Sequence, residues 1–160
     1  MEPNFIADAL IFAAFVVFVL VAVALSIVDL RTFRLPDRLL LPAIAAIAVL
    51  FAAAGATIGD TQNLERALMI ASVNTFIHLG LHLANGSALG FGDVKLAALI
   101  GLTTGWLGTN AWLVALAGSF LAAGCAVIML MAKRLATATT EIAFGPWMLL
   151  AATAAIIGAR

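Results

Sequence analysis

Six apolar runs, separated by short polar breaks, organise this chain: 9–28, 39–58, 67–84, 94–107, 111–132 and 142–158. A helix crossing the hydrocarbon of a bilayer needs about 20 apolar residues. The pattern therefore predicts an all-α, polytopic membrane protein, a bundle of about six transmembrane helices. The breaks are short: a Pro-containing segment around 29–38, "GDTQNLER", "NGSALGFGD", a tight turn at Gly108, Thr109 and Asn110, and "KRLATATTE". The fourth run alone rises only about 21 Å at 1.5 Å per residue, so its helix must extend into flanking residues. No internal repeat is present, and the whole chain, 1–160, is expected to form one membrane-embedded domain.

Composition strengthens this picture. Of 160 residues, 65% are apolar and 10% charged, against about a quarter charged in a soluble domain. That leaves too little polar surface to cover a water-soluble globule. Net charge is zero and no basic patch exists, which excludes a nucleic-acid partner. The one cysteine, Cys125, rules out an intrachain disulfide or a multi-cysteine zinc site; a buried, inert role is expected for it. The N-terminal "MEPNFIADAL" lacks the basic start and short apolar core of a signal peptide, so the first run is expected to be a retained span.

Charge then orients the bundle. Arg31, Arg34, Arg38, Lys95, Lys133 and Arg134 fall in the connections after runs one, three and five, while Arg66 and Arg160 fall on the other side. The positive-inside rule places the richer side in the cytoplasm, with both termini outside.

Acids within or at the edge of spans are costly and need a reason. Glu2, Asp8, Asp60, Glu65 and Glu141 fall in expected loops or chain ends, and Asp37, after Leu35-Pro36, has the position of a helix N-cap. Asp29 and Asp93 remain, one closing the first run and the other opening the fourth, at the same membrane depth. Two readings stand on physics alone. Asp29 marks the membrane edge and Asp93 caps a helix; or the two approach, share a proton and work as an acid–base pair on water and a carbonyl, as in aspartic proteases. Gly90 and Gly92 flank Phe91 just before Asp93. Glycine permits positive φ and close approach of a backbone or a substrate strand, which favours the second reading. Gly101 and Gly105, spaced as GxxxG, are expected to let a neighbouring helix pack closely.

At these residues the chain resembles a known family. "VDLRTFRLPDRLLLP", then "GFGDVKLAALIGLTTGW", then "FGPWMLL" resemble the peptidase domain of type IV prepilin peptidases, GxGD-type intramembrane aspartyl proteases. The resemblance runs from about residue 23 to 158. It implies that Asp29 and Asp93 are catalytic, with Gly90, Gly92, Lys95, Pro36, Asp37, Gly145 and Pro146 as motif residues that shape the site. It also implies an endopeptidase of the bacterial cytoplasmic membrane, with its active site toward the cytoplasm. The partners would be the bilayer and a prepilin or pseudopilin, cut after a Gly just before the substrate's hydrophobic helix. No cofactor or metal is implied. Many relatives carry two CxxC pairs and a methyltransferase activity; one cysteine in this chain implies a peptidase-only form. An acid that many relatives place shortly before GxGD is missing here, so its role is either absent or filled by Asn85 or Ser87.

Further expectations concern individual side chains. Asp29 at a helix C-terminus and Asp93 at an N-terminus would sit in opposite helix-dipole fields, placing the shared proton on Asp29 and making Asp93 the base. Lys95 either extends to the interface or tunes Asp93. Arg31, Arg34 and Arg38 anchor in lipid headgroups. His78 and His82 share a helix face but lack a third ligand for a metal; satisfied polar roles are expected for them. Asn74 is expected to bond across helices, and Pro146 to lie in a first turn or a break. A proton-coupled transporter or channel subunit is the rival reading of two membrane acids.

Overall fold

The computed structural model describes residues 4–84, 90–134 and 143–159. Within them lie six helices: α1 (Phe5–Thr32), α2 (Asp37–Ile58), α3 (Gln62–Ala84), α4 (Phe91–Leu107), α5 (Thr109–Ala132) and α6 (Gly145–Gly158). Four of these, α1, α2, α3 and α5, are long and apolar enough to cross a membrane, and the chain is a polytopic membrane protein. At 1.5 Å per residue, α4 and α6 are about 26 Å and 21 Å long.

The helices α2 to α6 end at the last apolar position of their runs and α1 continues four residues past its own, to Thr32, while α1 to α5 begin two to five residues before their runs. The reason is capping. Polar residues at 37, 62 and 109 occupy first turns, where free backbone N–H groups favour them, so a count of apolar residues misses them. The expected start at Ile142 lies outside the described residues. Two local expectations need correction. Thr109 and Asn110 already belong to α5, so Gly108 (φ 142°) alone joins α4 to α5. Glu65 lies in the first turn of α3, not in a loop, and accepts a 2.7 Å hydrogen bond from the Thr61 hydroxyl.

The fourth helix is the centre of the bundle. It packs along α3 and also meets α2, α5 and α6, while α1 packs on α2 and α6. Its residues are buried almost all round, from Asp93 to Trp106. Both glycines of the GxxxG spacing face α3: a Cβ on Gly101 would lie 2.6 Å from the Ala71 Cα, and one on Gly105 3.0 Å from the Ala67 Cα. Bare backbone on α4 is what brings these two helices so close. Asn74 on α3 then bridges three helices, donating to the Ala97 carbonyl (2.8 Å) and accepting from the Trp112 indole (3.1 Å). At the far end Arg66 donates to the Gly105 and Trp106 carbonyls (3.0 and 2.7 Å). It thereby satisfies acceptors that α4 leaves open and meets the negative end of its dipole.

Large apolar side chains fill the core, among them Phe18, Leu25, Leu40, Ile47, Phe51, Leu96 and Leu99. Others, such as Phe12, Leu20, Leu121 and Ile128, point outward, as expected where lipid is the solvent. Cys125 is one of the outward-facing residues, which corrects the burial expected for it. In a membrane helix an apolar run does not distinguish the protein-facing side from the lipid-facing side.

Candidate active site

The first helix delivers Asp29 three residues before its end. The helix stops at Phe33, which takes a left-handed conformation (φ 52°) and sends its N–H back to the Asp29 carbonyl, 2.8 Å. The chain then runs extended through Pro36, the N-cap of α2 (φ −73°, ψ 123°). On the opposite side of this loop, Gly90 is the N-cap of α4 and Asp93 its third residue. The Asp93 N–H bonds the Gly90 carbonyl at 3.0 Å, and the Gly90 N–H in turn faces the Asp93 carboxylate. The carboxylate of Asp93, at the third position of α4, thus reaches back to the N-cap N–H, which is one half of a capping box, the glycine N-cap having no side chain for the other.

Both acids are buried, Asp29 at 5% and Asp93 at 8% exposure. Both line a single cavity of about 1030 Å³, shared with Thr32, Leu35, Pro36, Asp37, Gly90, Gly92 and Lys95 among others. They are close enough for the charge of Asp29 to act on Asp93. A carboxylate pair in such surroundings holds one proton more readily than none. Such a pair can take a proton from water while giving one to a carbonyl oxygen.

Behind Asp29 stands the start of α6. The Gly145 N–H faces the Asp29 carboxylate, and a Cβ on Gly145 would lie 2.7 Å from Oδ2. Only glycine fits there. Pro146 occupies the first turn of α6, where its missing N–H costs nothing. It lies off the acid cavity and lines instead an apolar groove between α1 and α6, with Val23, Ile27 and Leu149. Asp29 therefore meets the N-terminal end of α6 just as Asp93 meets that of α4. Asp29 also stays in the last turn of α1, so the N-terminal end of α6 offsets the expected dipole contrast between the two acids. Oδ2 of Asp29 has no hydrogen-bond partner among the described residues.

Other expectations change as well. Neither Gly90 nor Gly92 has positive φ. Gly92 is small because Leu35 packs on it: a Cβ there would lie 3.0 Å from the Leu35 Cβ. A Cβ on Gly90 would lie 3.3 Å from Asp93 Oδ2. Asp37 is the first residue of α2 and not its N-cap. Its two carboxylate oxygens both accept from Lys95 Nζ at 2.7 Å. Lys95 is thus neither extended freely to the interface nor turned on Asp93, and its ammonium also lies 5.1 Å over the Phe91 ring.

His78 is buried with Nδ1 2.9 Å from the Asn74 carbonyl, while Nε2 has no partner among the described residues, so it is not fully satisfied as expected. His82 lies edge-on to Phe91 at 5.8 Å. Asn85 and Ser87 fall outside the described residues. Sequence reasoning missed Leu35 and the left-handed turn at Phe33. Only the Pro-containing break hinted at either, because a non-glycine residue gives no signal of positive φ.

Two buried carboxylates from helices far apart in sequence, meeting in one cavity of a multi-pass helical bundle, define a membrane protein built around an acid pair. Residues 16–159 match the type IV leader peptidase family, and the chain belongs to that family. It is 32% identical over 127 residues to the prepilin leader peptidase/N-methyltransferase of Escherichia coli (strain K12), an alignment covering 79% of this chain and 54% of the relative. The chain thus spans about half the length of the curated relative it matches. No solved structure matches it significantly.

Proposed function

We propose that this chain is an intramembrane aspartic endopeptidase that removes the leader peptide of type IV prepilins or pseudopilins. The observation that carries the proposal is the burial of Asp29 and Asp93 in one cavity, within electrostatic reach of each other. Family membership supports the substrate class.

One carboxylate of the pair is ionised and the other neutral. The ionised one takes a proton from a water held between them, and the resulting hydroxide attacks the scissile carbonyl. The neutral one donates its proton to the carbonyl oxygen, giving a tetrahedral diol. Collapse of the diol returns a proton to the leaving amine and breaks the C–N bond. No covalent intermediate forms. Gly90, Gly92, Pro36, Asp37 and Lys95 shape the cavity, Gly145 supports Asp29 from behind, and Pro146 starts α6 at the right place.

All six helices lie in the bilayer as one peptidase domain. The excess of Arg and Lys in the connections on the acid-bearing side turns that side to the cytoplasm. Both termini then face outward across the bacterial inner membrane. A substrate of this class presents its leader at that face and its hydrophobic helix to the lipid.

Co-expression with a prepilin-like substrate tests the reading. Leader removal, followed by mass spectrometry, is expected for the wild type and is lost in Asp29→Asn and in Asp93→Asn. Processing that survives either substitution refutes the dyad, and a wild type that cuts no substrate offered favours proton translocation instead.

A further inference from the structure

The acid pair depends on two segments being held in register: the end of α1 with the loop after it, and the first turn of α4. Those segments also meet away from the acids. Leu35 rests directly on Gly92, with no room for a side chain between them. Two residues beyond Leu35 and three beyond Gly92, Asp37 grips Lys95 through both carboxylate oxygens at 2.7 Å. The partners are 58 residues apart in sequence. Asp37 is on the first turn of α2 and Lys95 is the fifth residue of α4, and both line the acid cavity. The Phe91 ring beneath the ammonium fixes it further.

We propose that the Asp37–Lys95 pair is a positioning clamp, which together with the Leu35–Gly92 contact sets the approach of Asp93 to Asp29. This inference rests on the peptidase reading above. Side-chain exposures of 52% for Asp37 and 28% for Lys95 make the pair a weak source of global stability. Its geometry explains its placement better. The loop from Phe33 to Pro36 leads straight from Asp29, so a tether at its far end limits how that loop, and α4 with it, can shift. Lys95 is two residues from Asp93 and rides on the same helical turn. A displacement there is transmitted to the acid with no intervening flexible segment. The clamp acts on the rate of the chemical step and not on substrate affinity, because neither partner needs to touch the substrate.

The test uses the full chain in detergent or proteoliposomes with a prepilin substrate. Asp37→Asn and Lys95→Met are each expected to lower kcat about tenfold, in keeping with the cost of displacing a reacting group by a fraction of an ångström. KM stays within about twofold and the melting temperature is unchanged, since the pair is exposed. The double variant Asp37→Asn/Lys95→Met falls no further than either single one. The charge swap Asp37→Lys/Lys95→Asp recovers much of the loss, and Lys95→Arg retains wild-type kcat. The proposal is overturned if the single variants keep wild-type kcat, if the loss appears in KM alone, or if Lys95→Arg fails as badly as Lys95→Met. Asp93→Asn run alongside separates the two ideas: its inactivity beside a fully active Lys95→Met leaves the dyad standing and removes only the clamp. Activity in Asp93→Asn removes both.

Discussion

Gly145→Ala is the smallest change that strikes the site from outside the cavity. One methyl group is added to the start of α6, where it would sit 2.7 Å from Oδ2 of Asp29, 3.4 Å from its Cγ and 3.5 Å from Leu96 Cδ2. Ordinary contact begins near 3.4 Å, so the carboxylate or the helix must retreat by about 0.7 Å. Leu96 leaves little room sideways, and α6 is held by α5 and α1. The carboxylate is therefore the part that moves. Displacement of a reacting group by 1 Å can lower a rate about 100-fold, so a loss of about 10- to 100-fold in kcat is expected, equivalent to about 1.4–2.7 kcal/mol of barrier. Overpacking also costs about 1–3 kcal/mol of stability, so the assay needs a folding control. Purified variants would be compared by leader-cleavage kinetics and by thermal unfolding in detergent. Gly124→Ala, where an added Cβ meets nothing within 4 Å, is the matched control and should behave as wild type. A Gly145→Ala enzyme with wild-type kcat would refute the argument that α6 sets the position of Asp29.

Three further changes probe the frame that carries the site. Gly101→Ala would place a Cβ 2.6 Å from the Ala71 Cα; α3 and α4 must separate, and thermal unfolding in detergent should show a loss of about 1–3 kcal/mol. Asn74→Leu removes both of its bonds across helices, each worth about 0.6–2 kcal/mol in a membrane bundle, and should lower the melting temperature measurably. Arg66→Ala leaves the Gly105 and Trp106 carbonyls without their donor. It should cost about 1 kcal/mol in stability and, lying at the opposite end of α4 from Asp93, leave kcat near wild type.

The helical frame was legible because burial in lipid demands long apolar stretches, and these are plain to count. Their polar first turns were not, since Asp37 and Gln62 look like loop residues until a helix starts on them. The two acids stood out because Asp29 and Asp93 interrupt apolar sequence where a charge is costly. Their meeting in one cavity was inferred from depth and family resemblance. What surrounds them was mostly hidden. No local pattern says that Gly92 is small for the sake of Leu35, that Lys95 turns to Asp37 and away from Asp93, or that α6 aims an N–H at Asp29. Each depends on a partner 50 or more residues away in sequence, and such pairings come from packing. The same holds for Cys125, whose lipid-facing side is fixed by the neighbours of α5 and not by its own run.

The most direct test of the central claim is the leader-cleavage kcat/KM of Asp29→Asn, Asp93→Asn and the double variant, measured side by side on purified, folded protein. Two carboxylates acting on one water as a unit predict that each single change abolishes cleavage as fully as the double change does. Substantial cleavage by either single variant, or losses that simply multiply in the double one, would contradict it.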